Sequence, residues 1–289
     1  YVPYSTSLRM SRIGYQNNAR SQLSVSLNSL SEFINDIENA TKTKSNKFSE
    51  IVKQSDEYWP QLNSNLLQIE DEFYEVVRPK SSFTEYKKLS LNLNAKGVDY
   101  IEFRSLDLDP FSPSGISLET IRFLEAIILY SNFIESPRIN DQESKEIKNN
   151  DELVAIEGRN PDLELIRNGD RIRLKDWAIE ILNDIEPIGR RLGIETNFFD
   201  SIERMIKDSN LTLSGKLMSE LMDGPYDFHE LIENYTTAHR KFYLGLDRKD
   251  NPYWEKFEKE ASDSHLRKEQ IESDDKESFE SFIYNYFSE

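Results

Sequence analysis

The sequence contains no cysteine, and this absence removes several kinds of chemistry from its 289 residues. Without a thiol the chain forms no disulfide, no thiolate metal site and no cysteine nucleophile. A composition free of cysteine is compatible with a reducing compartment. We therefore expect a cytoplasmic protein.

Long apolar runs and an excess of positive charge are also missing. No segment reaches the roughly 20 apolar residues that cross a bilayer, so we expect no membrane partner. The formal net charge of −17 opposes sequence-independent binding to a nucleic-acid backbone. This charge does not exclude a nucleotide, because a few local Arg and Lys side chains are enough for one triphosphate.

The signatures of common nucleotide-binding and hydrolytic sites are absent as well. Neither the P-loop pattern nor the glycine-rich dinucleotide fingerprint occurs, and no Ser–His–Asp arrangement can be argued. We interpret His229, His239 and His265 as surface or packing residues. The candidates that remain are acidic and cationic side chains in the first part of the chain: Arg9, Glu70, Glu72, Arg78, Lys80, Glu102 and Arg104.

Hydropathy patterns divide the chain into a β-rich portion over residues 1–115, which holds the candidate catalytic residues, and a helical portion over residues 116–289. In the first portion, alternation predicts strands over 22–27, 61–74 and 98–109, and a capping box at Ser29 predicts a helix over 30–41. In the second portion, the patterns predict helices over 118–135, 150–159, 174–192, 197–209, 213–222 and 225–246, with the charged stretch 140–152 as a loop.

The strand predicted over 98–109 is the most informative stretch. Side chains alternate between the two faces of a strand, so Tyr100, Glu102 and Arg104 share one face. Charges on the same face as apolar neighbours suggest the lining of a cavity. An internal Glu–Arg ion pair in a half-buried sheet has the same pattern, and both interpretations stay open.

Two carboxylates in the strand predicted over 61–74 raise a similar question. Glu70 and Glu72 would lie on one face and repel each other by roughly 2 kcal/mol at an effective dielectric near 20. If enclosed, they need a cation, and Arg78 and Lys80 follow closely. Carboxylate oxygens suit Mg²⁺, and nearby Arg and Lys would stabilise phosphoryl charge. These residues are compatible with an Mg·ATP site, although a structural ion-pair network would have the same composition.

Several motifs in order resemble the gammaproteobacterial type of glutamate–cysteine ligase, also called γ-glutamylcysteine synthetase. They are Ser7-Leu8-Arg9-Met10-Ser11, Gly14-Tyr15, the stretches 65–74 and 100–107, Arg78-Pro79-Lys80, Pro110-Phe111-Ser112-Pro113 and Glu157-Gly158-Arg159-Asn160-Pro161. The resemblance implies an α+β fold, in which part of an antiparallel, funnel-like sheet of the glutamine synthetase-like type precedes a mostly helical region.

The same resemblance implies an ATP-dependent ligase that requires Mg²⁺ or Mn²⁺. Such an enzyme joins the γ-carboxylate of glutamate to the amine of cysteine through γ-glutamyl phosphate, the first step of glutathione biosynthesis. By motif, Glu102 would be a metal ligand, and Arg104 would contact the transferring phosphoryl group of ATP as a catalytic residue. The pocket for the acceptor amino acid would be lined by Arg9, Tyr15 and Tyr74.

The motif series begins midway through the family pattern, and the first residue is Tyr1. We therefore expect the chain to be a C-terminal portion that works with an N-terminal portion of the same enzyme. Two alternatives remain. One is a non-catalytic partner or regulatory subunit that retains the fold, and the other is a related carboxylate–amine ligase with a different amino-acid acceptor.

Overall fold

The computed structural model describes residues 2–14, 23–51, 61–83, 85–193, 196–247 and 251–288. Within these residues the chain is α+β and mostly helical, with two small antiparallel sheets. The helices are α1 (Leu30–Ala40), α2 (Asn46–Ile51), α3 (Leu89–Lys96), α4 (Leu118–Phe133), α5 (Asp141–Glu157), α6 (Leu174–Arg191), α7 (Thr196–Lys207), α8 (Leu213–Asp223), α9 (Phe228–Leu244), α10 (Trp254–Asp274) and α11 (Phe279–Ser288). The strands are β1 (Val77–Lys80), β2 (Tyr100–Phe103), β3 (Glu164–Arg167) and β4 (Asp170–Arg173).

The chain forms two compact units. The first unit consists of Tyr1–Gln16 and Leu106–Tyr243, and the second consists of Asn17–Ser105 and Leu244–Glu289. Each unit contains residues from both sides of residue 115, where the sequence suggests a division. That division into a β-rich and a helical portion stays a prediction. Every helix in the described ranges is too short or too polar to span a bilayer.

The core of the second unit forms around α1. Ser29 caps this helix by accepting a hydrogen bond from the Glu32 backbone N–H, as the capping-box pattern predicts. The buried face of α1 meets residues from α3 and from the segment that leads to β1. The buried cluster is Phe33, Ile34, Ile37, Ala40, Leu67, Phe73, Leu89 and Leu93. This cluster supports the elements that flank β1 and β2.

The core of the first unit lies between α4, α6 and α7. Its buried residues are Ala126, Leu182, Ile185, Phe198 and Phe199. Gly189 in α6 allows the close approach of α7, because a Cβ at that position would lie 2.2 Å from the Phe199 ring. The helices predicted over 118–135 and 174–192 are confirmed within two residues at each end.

The segment that carries Arg9 is fixed to the end of α5. The backbone N–H of Thr6 donates to the Ala155 carbonyl at 3.0 Å, and the backbone N–H of Arg159 donates to the Tyr4 carbonyl at 2.9 Å. The buried Arg159 guanidinium adds a bond from its Nε to the Ser5 carbonyl at 3.2 Å. The motif at 157–161 therefore holds the N-terminal segment of the first unit in place.

Three predictions about the first half of the chain are wrong in extent or type. Residues 61–74 contain a short 3-10 helix at Glu70–Glu72 and no strand. Residues 23–27, the described part of the stretch 22–27, also form no strand. The strand predicted over 98–109 is limited to β2. In the first of these stretches, Asn and Gln side chains bond the local backbone, for example Asn63 Nδ2 to the Gln68 carbonyl at 2.9 Å, and so compete with a strand ladder.

The charged stretch predicted as a loop over 140–152 belongs to a helix. The side chain of Asn140 caps α5 by accepting from the backbone N–H groups of Gln142 and Glu143. Charged and amide side chains with long stems are good helix formers, so the polarity of this stretch is no obstacle to a helix. The polar stretch is thus the first half of α5.

Candidate functional site

One face of the small sheet in the second unit brings the charged candidates together. Strands β1 and β2 pair antiparallel, with Arg78 opposite Glu102 and Lys80 opposite Tyr100. Residues directly opposite each other project to the same side of a sheet, and side chains two positions apart in a strand share a face. The side chains of Arg78, Lys80 and Glu102 are therefore neighbours. Together with Arg104, directly after β2, we call them the charged sheet face.

Glu102 and Arg104 form an ion pair on this face. The Arg104 Nη2 lies 3.0 Å from the Glu102 Oε2, and the Glu102 side chain is 38% exposed. This hydrogen bond, followed by the positive charges of Arg104, Lys80 and Arg78, lowers the pKa of Glu102 despite partial desolvation. The pairing therefore stabilises the fold above the ordinary carboxyl range, and this contribution is lost as the pH falls through the folded-state pKa.

Tyr74 holds Arg104 from a second side. Its hydroxyl donates to the Arg104 carbonyl at 3.2 Å, and the guanidinium carbon lies 5.6 Å from the centre of the Tyr74 ring. A guanidinium over an aromatic face gains a cation–π attraction. The structure thus brings together three of the predicted site residues, Tyr74, Glu102 and Arg104. It also contains the ion pair that the sequence left as an alternative to a cavity.

Arg78 is the buried member of the charged sheet face, and its guanidinium bonds to groups of the protein itself. Its Nη2 donates to the Glu70 carbonyl and to the Asp71 carboxylate, each at 3.2 Å. Burial lowers the pKa of the guanidinium, although Asp71 opposes the shift. Within the described residues its Nε has no hydrogen-bond acceptor. The sequence does not predict the burial of Arg78, because the alternating pattern assigns the Glu70–Glu72 turn, which Arg78 contacts, to a strand.

The carboxylates of Glu70 and Glu72 accept hydrogen bonds from the protein itself. Glu70 is fully buried, and its two carboxylate oxygens accept from the backbone N–H of Ser90 at 2.7 Å and from the Ser90 hydroxyl at 2.6 Å. Glu72 accepts from the Gln68 backbone N–H at 2.7 Å. The backbone N–H of Glu70 also donates to the Tyr286 hydroxyl at 3.3 Å, so the aromatic end of α11 docks beneath the same turn.

Replacing Ser90 with alanine should lower the free energy of unfolding by about 1–3 kcal/mol, because one oxygen of a buried carboxylate loses its donor. Chemical denaturation of the purified protein measures this change. Ser131→Ala is the control, since that serine is exposed on α4 and its hydroxyl donates to the Ile127 carbonyl of its own helix. A change of similar size in both variants would contradict a special role for the Ser90 bond.

The donor set of the charged sheet face limits what a metal could do there. Across the described ranges, no group of three or more His, Cys, Asp or Glu side chains is placed to hold a metal ion. Glu102 is the carboxylate on this face, surrounded by the three cations Arg78, Lys80 and Arg104. Such a surface fits anionic phosphate groups, and the Glu102 carboxylate is the side chain that would hold an Mg²⁺ there.

Arg9 and Tyr15 are predicted to line the acceptor pocket together with Tyr74. Arg9 lies in the first unit, where its Nε is 2.5 Å from the Asp107 Oδ1 and its Nη2 donates to the Leu106 carbonyl at 3.1 Å. Asp107 thus fixes the guanidinium, a role that sequence reasoning missed. Tyr15 falls outside the described residues, and the roles of Arg9, Tyr15 and Tyr74 stay predictions.

A family sequence model described as glutamate-cysteine ligase matches residues 1–154, slightly more than half of the chain. This chain belongs to the glutamate–cysteine ligase family. Similar relatives include the glutamate–cysteine ligase of Alcanivorax borkumensis, 34% identical over 99% of this chain and 57% of the relative. The glutamate–cysteine ligase of Pseudomonas fluorescens is 33% identical over 99% of this chain and 55% of the relative. The chain therefore spans about half the length of the curated relatives it matches.

Solved structures agree with this family membership. The crystal structure of a glutamate–cysteine ligase from Francisella tularensis in complex with AMP matches with a TM-score of 0.87 and 27% identity. The match covers 99% of this chain and 57% of that protein. A bifunctional glutathione synthetase from Pasteurella multocida matches with a TM-score of 0.59 and 22% identity over 82% of this chain and 28% of that protein, which is a likeness of fold alone.

Proposed function

We propose that the gene product containing this chain is an ATP- and Mg²⁺-dependent ligase that joins the γ-carboxylate of glutamate to the amine of cysteine. The observation that carries the proposal is the Glu102–Arg104 ion pair on the charged sheet face. It supports this activity since the chain belongs to the glutamate–cysteine ligase family. The relative from Francisella tularensis, solved with AMP, supports a nucleotide as a ligand. A cytoplasmic location belongs to the same proposal, since the thiol of cysteine stays reduced there.

The reaction then proceeds in two displacements. A γ-carboxylate oxygen of glutamate attacks the terminal phosphorus of ATP, ADP leaves, and γ-glutamyl phosphate forms. The amine of cysteine attacks the acyl carbon, inorganic phosphate leaves, and the nitrogen releases a proton. Arg104 donates hydrogen bonds to the phosphoryl oxygens, where negative charge must be stabilised.

Glu102 supplies one oxygen ligand for the divalent cation, Mg²⁺ or Mn²⁺. A bound cation would neutralise phosphate charge during transfer. The pair geometry supports this assignment in part, because one Glu102 oxygen accepts from Arg104 while its lowered pKa keeps the carboxylate ionised. The predicted roles of Arg9, Tyr15 and Tyr74 in binding the acceptor amino acid, and a funnel-like sheet that includes β1 and β2, belong to the same proposal.

Coupled release of ADP and phosphate tests this function in the full gene product that contains residues 1–289. We expect ADP release to require Mg²⁺, glutamate and cysteine together, with one γ-glutamylcysteine formed per ADP. Turnover with 2-aminobutyrate or another amine and none with cysteine would instead indicate a related ligase with a different acceptor. No ADP release with any amino acid in a folded, nucleotide-binding protein would indicate a non-catalytic partner or regulatory subunit.

A further inference from the structure

The three cations of the charged sheet face, Arg78, Lys80 and Arg104, differ in the contacts that they make within the protein. Arg78 is buried and bonded to the turn at Glu70–Glu72, and Arg104 is bonded to Glu102. Among the residues that the structure describes, the ammonium group of Lys80 has no hydrogen-bond or ion-pair partner, and the residue is half-buried on the same face. Its ammonium group is therefore the cation of this face that retains its full capacity to donate.

The carboxylate of Asp99, the residue that directly follows Val98 and precedes β2, makes no ion pair with Lys80 within the described residues. The backbone N–H of Asp99 donates to the Lys80 carbonyl at 3.0 Å, but the Asp99 carboxylate turns to two serines. It accepts from the backbone N–H and hydroxyl of Ser82, each at 2.7 Å, and from the Ser81 hydroxyl at 3.2 Å. Lys80 instead contributes to the positive field around Glu102.

The register separates Lys80 from Arg104 along the face. Lys80 lies opposite Tyr100, while the backbone N–H of Arg104 bonds the Val76 carbonyl. Four residues of strand separate the backbone positions of Lys80 and Arg104 by about 13 Å along the face, and Glu102 lies midway between them. Two long cationic side chains that flank one carboxylate at this spacing suit a chain of phosphates better than a single phosphate.

We propose that Lys80 binds the β-phosphate of the nucleotide, at the end of the charged sheet face away from Arg104. This inference rests on the proposed function, and it gives Lys80 a role in binding rather than in phosphoryl transfer. The β-phosphate is present in both ATP and ADP, so Lys80 contributes equally before and after transfer. An interaction of that kind lowers KM for ATP and leaves kcat nearly unchanged.

Calorimetric titration of the full gene product with ATP, ADP and AMP, at fixed Mg²⁺, tests the proposal. In Lys80→Met we expect Kd for ATP and ADP to rise by about 10- to 100-fold, the range for a charge-assisted hydrogen bond, and Kd for AMP to change by less than about threefold. KM for ATP should rise with Kd while kcat stays within about threefold of the wild type. Lys80→Arg should restore most of the affinity, since it keeps the charge.

Lys268→Met is the matched control, because Lys268 is exposed on α10 and pairs with Glu272 of the same helix. It should bind all three nucleotides like the wild type. Equal ATP affinity in the wild type and Lys80→Met would overturn the role of Lys80 and leave the proposed function intact. An equal loss of AMP affinity would overturn the assignment to the β-phosphate. A wild-type protein that binds neither ATP nor ADP would overturn the proposed function itself, and this inference with it.

Discussion

Arg104→Met in the full gene product should lower kcat by about 10³-fold or more, because the variant has no donor for the transferring phosphoryl group. The folded state should lose less than about 2 kcal/mol, the sum expected for a partly exposed ion pair and one cation–π contact. Both contacts are visible in the structure, to Glu102 and to the Tyr74 ring. Steady-state ADP release and chemical denaturation measure the two effects independently.

Two further variants make this test specific. Arg104→Lys keeps the charge but loses the planar fork, and we expect kcat between those of the wild type and Arg104→Met. Arg171→Met removes a comparable arginine from the other small sheet, where Arg171 pairs with Glu164 at 3.1 Å. This control should retain normal activity. A kcat within about threefold of the wild type in Arg104→Met would contradict phosphoryl contact by Arg104.

Glu102→Gln should lower kcat by at least about 100-fold and shift the Mg²⁺ requirement to higher concentration. Glutamine keeps the shape of the side chain but has no negative charge for a cation. Stability should change by less than about 1 kcal/mol, because the pair is partly exposed. The measurement is ADP release over a range of Mg²⁺ concentrations, with denaturation to confirm folding.

The matched control for this variant is Glu164→Gln, which breaks the exposed pair with Arg171 in the other small sheet. It should show the wild-type Mg²⁺ dependence. An unchanged Mg²⁺ dependence in Glu102→Gln, with full turnover, would remove Glu102 from the metal site. Loss of activity together with loss of folding would assign the Glu102–Arg104 pair to structure rather than to chemistry.

The alternation around Glu102 predicted the central feature of the candidate site. Tyr100 and Glu102 do share a face of β2, and Arg104 does contact Glu102, as the period of two requires. The helix at Leu30–Ala40 was equally predictable, because its cap and its apolar spacing agree. In both cases local pattern and tertiary packing favour the same structure.

Other features depend on partners distant in the sequence, which no local pattern contains. The turn at Glu70–Glu72 is fixed by hydrogen bonds from Ser90 and from the buried Arg78. The alternating sequence pattern predicts a strand there because it contains no information on these two partners. The hairpin of β3 and β4 was missed although it carries a turn signal. Asn168 and Gly169 both have positive φ, of 55° and 85°, as an Asn-Gly hairpin turn requires.

A crystal structure of the full gene product with Mg²⁺ and a non-hydrolysable ATP analogue tests the central claim most directly. We predict that the terminal phosphate contacts Arg104 and that the Mg²⁺ has a Glu102 oxygen among its ligands. The β-phosphate should lie within hydrogen-bond distance of Lys80. Phosphates bound elsewhere, with the Glu102–Arg104 pair intact and without contact to the analogue, would contradict the account.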